Sequence, residues 1–281
     1  MIRQYDEKTL KKLQQVELEI LLDIKTVCEK HNIGYSVAYG SLIGIARHKG
    51  FIPWDDDIDI MMFRDEYEQF ERVFDIELGD KYKLMTPLRE KGYAGNVIKV
   101  MKKGTKFIYK QSKKQKCDHG IFIDIFIWDR MPKDDNKAEI QAKKARFVAM
   151  LIFLSGTPYP EIEIKGIVGM VAKAICFLVH YLLKLWPNRS KHLFSIFQKI
   201  CMKYRNEDSS KYMVYQVRKF ERCIIDRSEV TPYIKGEFEG EMLNIPRAYH
   251  KLLSNTYGEY MKLPPVEKRV NHAADIIDFG E

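Results

Sequence analysis

Apolar side chains recur at helical spacing in the first thirty residues of the chain. The positions that share one face are Leu10, Leu13, Glu17, Ile20, Leu21, Ile24, Val27 and Cys28. Steps of three and four residues predict a long amphipathic helix. We expect this helix to end between His31 and Gly34, because Asn and Gly tolerate the backbone conformation that follows a helix.

Shorter apolar segments follow and predict strands with helices between them. Residues 35–39 and 57–62 indicate two strands, with a short helix over 41–48 between them and another helix over 64–74. Further strand-like runs lie near residues 83–85, 96–101, 107–109 and 121–127. This order predicts an α+β fold with a mixed sheet flanked by helices. Residues 136–205 are expected to be mainly helical.

Composition is that of a soluble or membrane-peripheral globular protein, with 46% hydrophobic and 31% charged residues among 281. An excess of 47 basic over 39 acidic residues gives a net charge of +8, which favours anionic partners. No nucleic-acid partner is expected, because no recognisable module accompanies the lysines of residues 102–116. Five widely spaced cysteines without a CxxC motif predict reduced thiols in a cytoplasmic setting. The polar N-terminus predicts no secretory signal.

The strongest chemical signal is the carboxylate pair Asp57 and Asp59. Because side chains alternate along a strand, both point to the same side. Adjacent carboxylates repel each other unless a cation lies between them, and oxygen ligands suit Mg²⁺, with Mn²⁺ as the alternative. An isolated Asp-x-Asp is usually a solvated strand end, but here apolar residues 60–62 follow directly. Asp124 lies in another apolar run, where an unpaired carboxylate is costly to bury.

Two further acids precede this pair. Asp55 has the strand parity of Asp57 and is expected to support it without touching the metal. Asp56 should face away and matter less. Asp124 is either a third metal ligand or the base that accepts a proton from the acceptor hydroxyl, and both roles remain open.

Several residues nearby suit phosphate binding. Gly40 allows close backbone approach, and Ser41 offers a hydroxyl and an N–H where a helix opens. Arg47 and His48 are candidate phosphate clamps, with an ordinary surface pair as the equal alternative. Lys99 is a candidate partner for donor phosphates, although a solvated strand lysine is more common.

These motifs resemble the LicD family of phosphocholine transferases. The first block runs from Gly40 through Arg47–His48 to Asp59, and the second from His119 to Phe126 with Asp129 after it. A third block is similar at 257–265 and Arg269, whereas residues 135–220 carry no family motif. The resemblance implies a nucleotidyltransferase-like catalytic core over 1–132, a mainly helical region over 133–220 that faces a membrane or the acceptor, and a segment over 221–281 that completes the active site. Arg269 and His272 are expected to fold back onto the nucleotide.

The family implies transfer of phosphocholine from CDP-choline to a hydroxyl of a cell-surface glycan precursor, such as teichoic acid, capsule or lipopolysaccharide, with release of CMP. The resemblance implies a glycan or lipid-linked glycan acceptor, and a lipid-linked acceptor favours a peripheral enzyme at the inner face of the cytoplasmic membrane. Three alternatives remain: transfer of ribitol phosphate from CDP-ribitol, a plain sugar-phosphate nucleotidyltransferase, and a non-catalytic binding protein. Choline would need an aromatic enclosure. Trp54, Trp128 and Tyr39 lie near the motifs, but the sequence does not assign the enclosure.

The segment Ile164–Pro187 is apolar over nearly the length that spans a bilayer, but four basic residues interrupt it. These residues, Lys165, Lys173, His180 and Lys184, share a narrow arc of a helix. Two interpretations are equally favoured: a helix in the membrane interface with its basic strip toward headgroups, or a core helix. The lysines of 102–116 indicate a solvated loop, or a rim near anionic lipid.

Overall fold

The computed structural model describes residues 4–110, 112–113, 115–158, 166–217 and 223–280. Eight α-helices lie in these ranges: α1 (Glu7–Lys30), α2 (Tyr39–His48), α3 (Arg64–Glu77), α4 (Asp135–Gly156), α5 (Gly166–Lys184), α6 (Arg189–Cys201), α7 (Arg227–Val230) and α8 (Tyr249–Tyr257). Eleven strands accompany them: β1 (Ser36–Val37), β2 (Asp59–Phe63), β3 (Tyr82–Met85), β4 (Ile98–Lys102), β5 (Lys106–Ile108), β6 (Phe122–Arg130), β7 (Lys211–Val214), β8 (Ile225–Asp226), β9 (Ile234–Phe238), β10 (Glu241–Ile245) and β11 (Ile276–Asp278). Short 3-10 helices cover Met202–Tyr204 and Val266–Lys268.

Seven of the strands form one mixed sheet. Its order is β1-β2-β6-β4-β3, with β2 parallel to β6 and the other pairs antiparallel. Residues 122–125 of β6 pair with β4, residues 124–128 pair with β2, and the last three residues pair with β7, which in turn pairs with β8. Strands β9 and β10 form a separate hairpin, and β11 pairs with β5. The predicted α+β fold with a mixed sheet is therefore confirmed.

The sheet is covered on both faces, as alternating strand residues require. One face joins α1 and α3 in the largest core, to which Leu13, Ile20, Ile60, Met62, Phe70, Ile123 and Ile125 contribute. The opposite face packs the side chains of Phe63, Phe126, Trp128, Tyr212 and Ile225 together. Asp59 and Asp124 have the strand parity of this second face, so the largest core lies behind them.

The predicted helical region contains α4, α5 and α6. Helices α4 and α6 share a core of their own, formed by residues such as Ala142, Ile152, Phe194 and Phe197. Strand β7 follows these helices and joins the main sheet before residue 220. The helical region is thus attached to the sheet at its beginning and its end.

Two predicted boundaries differ from the structure near the acidic motif. The second strand begins at Asp59 rather than at Asp57, since a turn at residues 53–54 leads into an irregular segment that continues to Ile58. Helix α2 begins at Tyr39, so Gly40 and Ser41 lie inside its first turn and not in a turn before it. The burial pattern still alternates from Asp55 to Ile60, which keeps Asp55, Asp57 and Asp59 on the more open side.

Helix α5 is not a core helix, so that interpretation of the segment 164–187 is wrong. Only Gly169 and His180 are buried among the side chains described in α5. His180 faces the protein and lies close to the carbonyl oxygen of Leu154, with 2.6 Å between Nδ1 and that oxygen. It therefore does not belong to an exposed basic strip, whereas Lys173 and Lys184 are exposed. Ile164 and Lys165 lie outside the described residues.

Candidate active site

The sheet register brings Asp59, Asp124 and Lys99 into one row. Asp59 is the direct partner of Asp124 across the parallel strands β2 and β6, and Asp124 is the direct partner of Lys99 across β6 and β4. The Nζ atom of Lys99 donates a hydrogen bond to Oδ1 of Asp124 at 2.8 Å. Three neighbouring strands thus present two carboxylates and an ammonium group side by side.

The acids that precede β2 add to this row. Burial raises the pKa of Asp57 to about 6, with His272 opposing the rise and the charges of Asp56 and Asp124 adding to it. Burial and the neighbouring carboxylates of Asp57 and Asp124 also raise the pKa of Asp59 well above its usual range. Burial, with Asp57 and Asp56 next in effect, raises the pKa of Asp55 to about 7. The pKa values of Asp55, Asp57 and Asp59 are therefore all raised, because these carboxyls are buried close to other acids.

His272 joins this cluster from the C-terminal segment. Asp56 is fully buried, and its Oδ1 accepts hydrogen bonds from the backbone N–H of His272 at 2.8 Å and from the ring Nδ1 at 3.1 Å. The same ring nitrogen lies 3.6 Å from Oδ2 of Asp57. The hydrogen bond to Asp56 raises the pKa of His272 to about 9, so the ring is positively charged at neutral pH. Asp56 faces away as predicted, but it fixes the C-terminal segment and is more important than the sequence suggested.

Gly40 and Ser41 contact the acidic segment from helix α2. A Cβ atom on Gly40 would lie 2.9 Å from Oδ2 of Asp55, so a larger residue would displace that carboxylate. Ser41 is buried, and its hydroxyl accepts a hydrogen bond from the backbone N–H of Asp59 at 3.0 Å. In this structure the Ser41 hydroxyl is therefore used to fix the start of β2.

Arg47, His48 and Arg269 lie apart from this row. Nη1 of Arg47 donates to the carbonyl oxygen of Tyr260 at 2.8 Å, and its Nε donates to the ring of His48 at 2.9 Å. Arg269 donates to the carbonyl oxygen of Pro264. Arg47 thus contacts the C-terminal segment directly, His48 contacts Arg47, and Arg269 bonds within that segment. None of the three is among the described residues that line the cavity beside Asp57.

That cavity has a volume of about 560 Å³ and is bounded by Asp57, Asp124, Lys99 and His272 on its charged side. Its other walls carry aromatic and sulfur-containing side chains, namely Met85, Tyr93, Met101, Phe107, Tyr109, Phe122 and Phe153. Asp59 does not line it among the described residues. We call this space the Asp57 cavity.

Three of these aromatic rings stand at steep angles to one another. The ring of Phe107 lies 5.1 Å from that of Tyr109 and 5.7 Å from that of Phe122, with interplanar angles of 84° and 78°. Tyr109 and Phe122 are 6.4 Å apart. The ammonium group of Lys99 lies 3.2 Å from the centroid of the Phe122 ring. A cation is thus already held against an aromatic face in this cavity.

The aromatic residues that the sequence had singled out lie elsewhere. Trp54 lies beneath the guanidinium group of Arg269, with 5.2 Å between that group and the ring centroid. Tyr39 and Trp128 line a different, narrow apolar cavity. The rings that line the Asp57 cavity come instead from β5 (Phe107), the residue after it (Tyr109), β6 (Phe122), the connection between β3 and β4 (Tyr93) and α4 (Phe153).

One acid near the site was not recognised from the sequence as functional. Glu17 is buried in α1, and burial together with the charges of Asp57 and Asp56 raises its pKa well above the usual range. Its Oε2 has no hydrogen-bond partner among the described residues. The available signal was an acidic residue at a core position of an apolar helical face.

Asp129, which belongs to the second motif block, is not part of the cavity. Both of its oxygens accept hydrogen bonds at 2.8 Å from the guanidinium group of Arg64, and both side chains are buried. This pair connects the end of β6 to the start of α3. Its place in the motif therefore has a structural reason.

The acidic group fits a divalent cation in ligand chemistry and in charge. Its donors are carboxylate oxygens, which Mg²⁺ prefers, and the raised pKa values of Asp57 and Asp59 reflect repulsion and burial that a cation would relieve. Within the described ranges, no three Asp, Glu, His or Cys side chains are already arranged to hold an ion. Oδ1 of Asp124 accepts a hydrogen bond from Lys99, so a cation bound through this oxygen would require the ammonium group to move.

Comparison with known proteins gives one long match and two short ones, besides a family model. A family model described as LicD/FKTN/FKRP, nucleotidyltransferase domain, matches residues 32–153. The lipopolysaccharide cholinephosphotransferase LicD of Haemophilus influenzae is 32% identical over 274 residues, which cover 94% of this chain and 96% of that protein. An uncharacterized protein of Rickettsia typhi is 34% identical over 55 residues, which cover 20% of this chain and 18% of that protein. An uncharacterized protein of Rickettsia prowazekii is 39% identical over 62 residues, which cover 20% of this chain and 23% of that protein. The long match extends well beyond the three motif blocks.

Proposed function

The chain belongs to the LicD family of transferases, and we propose that it transfers phosphocholine from CDP-choline to a hydroxyl of a cell-surface glycan precursor. Lipopolysaccharide is the first candidate acceptor, because the Haemophilus relative is named for that reaction. The observation that carries the proposal is the row of Asp59, Asp124 and Lys99 beside a cavity with aromatic walls.

Each charged group of the site has a proposed role in this reaction. The acceptor oxygen attacks the phosphorus that bears choline, the bond from that phosphorus to the CMP oxygen breaks, and CMP leaves. Lys99 and the charged ring of His272 lie where they can donate to phosphate oxygens of the donor. Asp124 either takes the proton of the acceptor hydroxyl or serves as a third ligand. When bound by Asp57 and Asp59, with Asp124 as a third ligand in the second of these roles, Mg²⁺ or Mn²⁺ would neutralise charge on the transferred phosphate.

The aromatic rings favour choline over ribitol as the transferred group. A trimethylammonium group is a permanent cation without hydrogen-bond donors, and aromatic faces bind such groups well. The rings of Phe107, Tyr109 and Phe122 line the cavity within reach of Asp57 and Asp124. Because Lys99 occupies the Phe122 face in this structure, its movement toward the donor phosphates would open that face to choline. Ribitol would instead require polar partners for its hydroxyl groups.

A nucleotidyltransferase-like fold and a cytoplasmic location complete the proposal. The mixed sheet with acids on adjacent strands β2 and β6 supports the fold assignment. The five cysteines are all free thiols, three of them buried, which suits a reducing compartment. We retain the boundaries 1–132, 133–220 and 221–281 as a proposed division.

Product analysis tests the reaction directly. The purified protein is incubated with Mg²⁺ and a lipopolysaccharide precursor, and with CDP-choline, CDP-ribitol, or CTP plus a sugar phosphate. We expect release of CMP from CDP-choline and incorporation of choline into the acceptor. The Asp59→Asn variant serves as the inactive control. Faster CMP release from CDP-ribitol, or pyrophosphate release from CTP, would replace the proposal with the corresponding alternative.

A further inference from the structure

Helix α5 carries a continuous apolar stripe that no other described part of the protein covers. Val171, Ile175, Leu178 and Leu182 follow one another at steps of four and three residues, and Leu185 continues the row just after the helix. Their exposed fractions range from 52% for Val171 to 79% for Leu185. Steps of this kind place side chains on one side of a helix. Soluble monomers rarely expose a large contiguous apolar patch without a partner for it. We call this row the α5 stripe.

The opposite side of α5 is anchored to the protein. Gly169 and His180 are buried on it, and the His180 ring contacts the carbonyl oxygen of Leu154 at the end of α4. The helix is therefore not detached from the fold. Its position is fixed, and the α5 stripe faces outward from it.

Two residues that flank α5 in the sequence lie in contact with each other. Nε and Nη2 of Arg189, at the start of α6, donate to the carbonyl oxygen of Ser155, near the end of α4, at 3.1 and 3.0 Å. Helix α5 is long and apolar enough to cross a membrane. A single crossing would separate these two contacting residues, unless the connection to α4 crossed as well. That connection contains Glu161, Glu163 and Lys165, which are costly within lipid. The helix therefore suits the membrane surface and not a span.

A basic cavity adjoins the C-terminal end of α5. Among the described residues that line it are six lysine and arginine side chains and no acidic one: Arg89, Lys91, Lys116, Lys184, Arg189 and Lys191. Arg89 is paired with the exposed Asp75, and the other five add to the positive charge. Such a concentration of positive charge attracts anionic lipid headgroups. A second copy of the chain would bring the same positive charge to a shared interface and be repelled. Charge thus favours an anionic bilayer over self-association as the partner of the α5 stripe.

We propose that α5 is a membrane-interface helix that lies along an anionic bilayer, with its stripe among the acyl chains and the basic cavity toward the headgroups. The contact places the Asp57 cavity at the membrane surface, since the basic cavity shares the lining residues Ala94 and Gln115 with it. This inference goes beyond the transfer reaction and does not depend on which donor the enzyme uses.

Cosedimentation with vesicles tests the proposal. The full-length protein is mixed with phosphatidylcholine vesicles that contain or lack phosphatidylglycerol. We expect binding to the anionic vesicles and partial release by salt. The Ile175→Ser/Leu178→Ser/Leu182→Ser variant should bind at least tenfold more weakly. The matched control Ile76→Ser/Ile234→Ser/Met242→Ser changes three exposed apolar residues elsewhere and should bind like the wild type. Equal binding of both triple variants would overturn the proposal.

A second measurement needs no change in the stripe. Trp186 lies just after α5 and is partly exposed, whereas Trp128 is buried. Lipids with brominated acyl chains should quench the fluorescence of the wild type, and Trp186→Phe should remove most of that quenching. Quenching that persists in Trp186→Phe would contradict the proposed orientation. The proposal would also be overturned if the wild type does not bind vesicles and is dimeric by light scattering, while the Ile175→Ser/Leu178→Ser/Leu182→Ser variant is monomeric.

Discussion

Asp59 and Asp124 lie directly opposite each other across the parallel strands β2 and β6, although they are far apart in the sequence. Lys99 faces Asp124 from the other side, on β4. This row depends on strand register, because a slip of one residue would turn each side chain to the other face of the sheet. Substitutions that change charge and preserve shape therefore test the site most directly.

The first prediction concerns the two acids of the Asp-x-Asp motif. Asp57→Asn or Asp59→Asn should lower turnover by several orders of magnitude, because an amide oxygen is a much weaker ligand for Mg²⁺ than a carboxylate. Turnover is measured as CMP release at saturating Mg²⁺. Asp118→Asn is the matched control, since Asp118 lines the same cavity but has no proposed role. Retention of more than about a tenth of wild-type turnover, a barrier change of only ~1.4 kcal/mol, would rule the assignment out.

The second prediction separates the two roles of Asp124. If Asp124 is the base, Asp124→Asn should abolish transfer while CDP-choline still binds in the presence of Mg²⁺. If it is mainly a ligand, donor affinity and turnover should fall together. Isothermal titration of CDP-choline into the variant distinguishes these results. Wild-type transfer by Asp124→Asn would exclude both roles.

Lys99→Met should weaken donor binding whichever role Asp124 has, because the ammonium group is proposed to bind the donor phosphates.

The third prediction concerns the aromatic walls of the Asp57 cavity. Phe122→Leu and Tyr109→Leu should each raise the Kd for CDP-choline about 5- to 30-fold, which corresponds to about 1–2 kcal/mol of lost cation–π attraction. The Kd for CMP, which lacks choline, should not change. Trp54→Leu provides a control outside the cavity. An equal loss for CDP-choline and CMP would mean that these rings support the fold of the site and not the choline group.

The fourth prediction concerns the buried pair of Arg64 and Asp129. Asp129→Asn should lower the free energy of unfolding by about 3–5 kcal/mol, because it leaves the guanidinium group of Arg64 buried without its counter-charge. Urea unfolding followed by circular dichroism measures this change. Asp208→Asn removes an exposed acid that pairs with Lys133 and should have little effect. A small loss in Asp129→Asn would show that water or another group compensates Arg64.

The sequence was most informative where a local pattern determined the structure. The spacing in α1 predicted a helix that the structure places at Glu7–Lys30, and the alternation around Asp57 and Asp59 matches the observed burial. The apolar run around Asp124 is β6, as predicted, and it lies next to β2. In each case the pattern of residues close together in the sequence was sufficient to predict the element.

Long-range contacts could not be derived in the same way. The position of Arg47 depends on the carbonyl oxygen of Tyr260, and that of His272 depends on Asp56, so both required the path of the C-terminal segment. The rings of Phe107 and Tyr109 are ordinary strand residues in the sequence and become cavity walls only because β5 pairs with β11 and lies near β6. The burial of α5 also depended on what packs against it, and periodicity alone left two interpretations.

The fifth prediction concerns the pH dependence of stability and its coupling to the metal. The pKa values of Asp57 and Asp55 are raised to about 6 and about 7 from a usual value of 3.8. These two carboxyls therefore hold more protons in the folded protein than in the unfolded chain between pH 4 and 7, and their contribution to stability falls as pH rises through this window. Because Mg²⁺ binds the ionised carboxylates, it should offset the loss and bind more tightly at higher pH.

Thermal melts in Mg²⁺ and in EDTA across pH 5–8 measure this coupling. The difference in Tm between the two should be small near pH 5 and grow toward pH 8. In Asp57→Asn the growth should be reduced, since one titrating ligand is gone. His272 does not produce the effect, because its pKa is raised to about 9 and its ring stays charged over most of this range. A difference in Tm that is independent of pH would show that the acids are already ionised at pH 5, and the proposed proton–metal competition would be wrong.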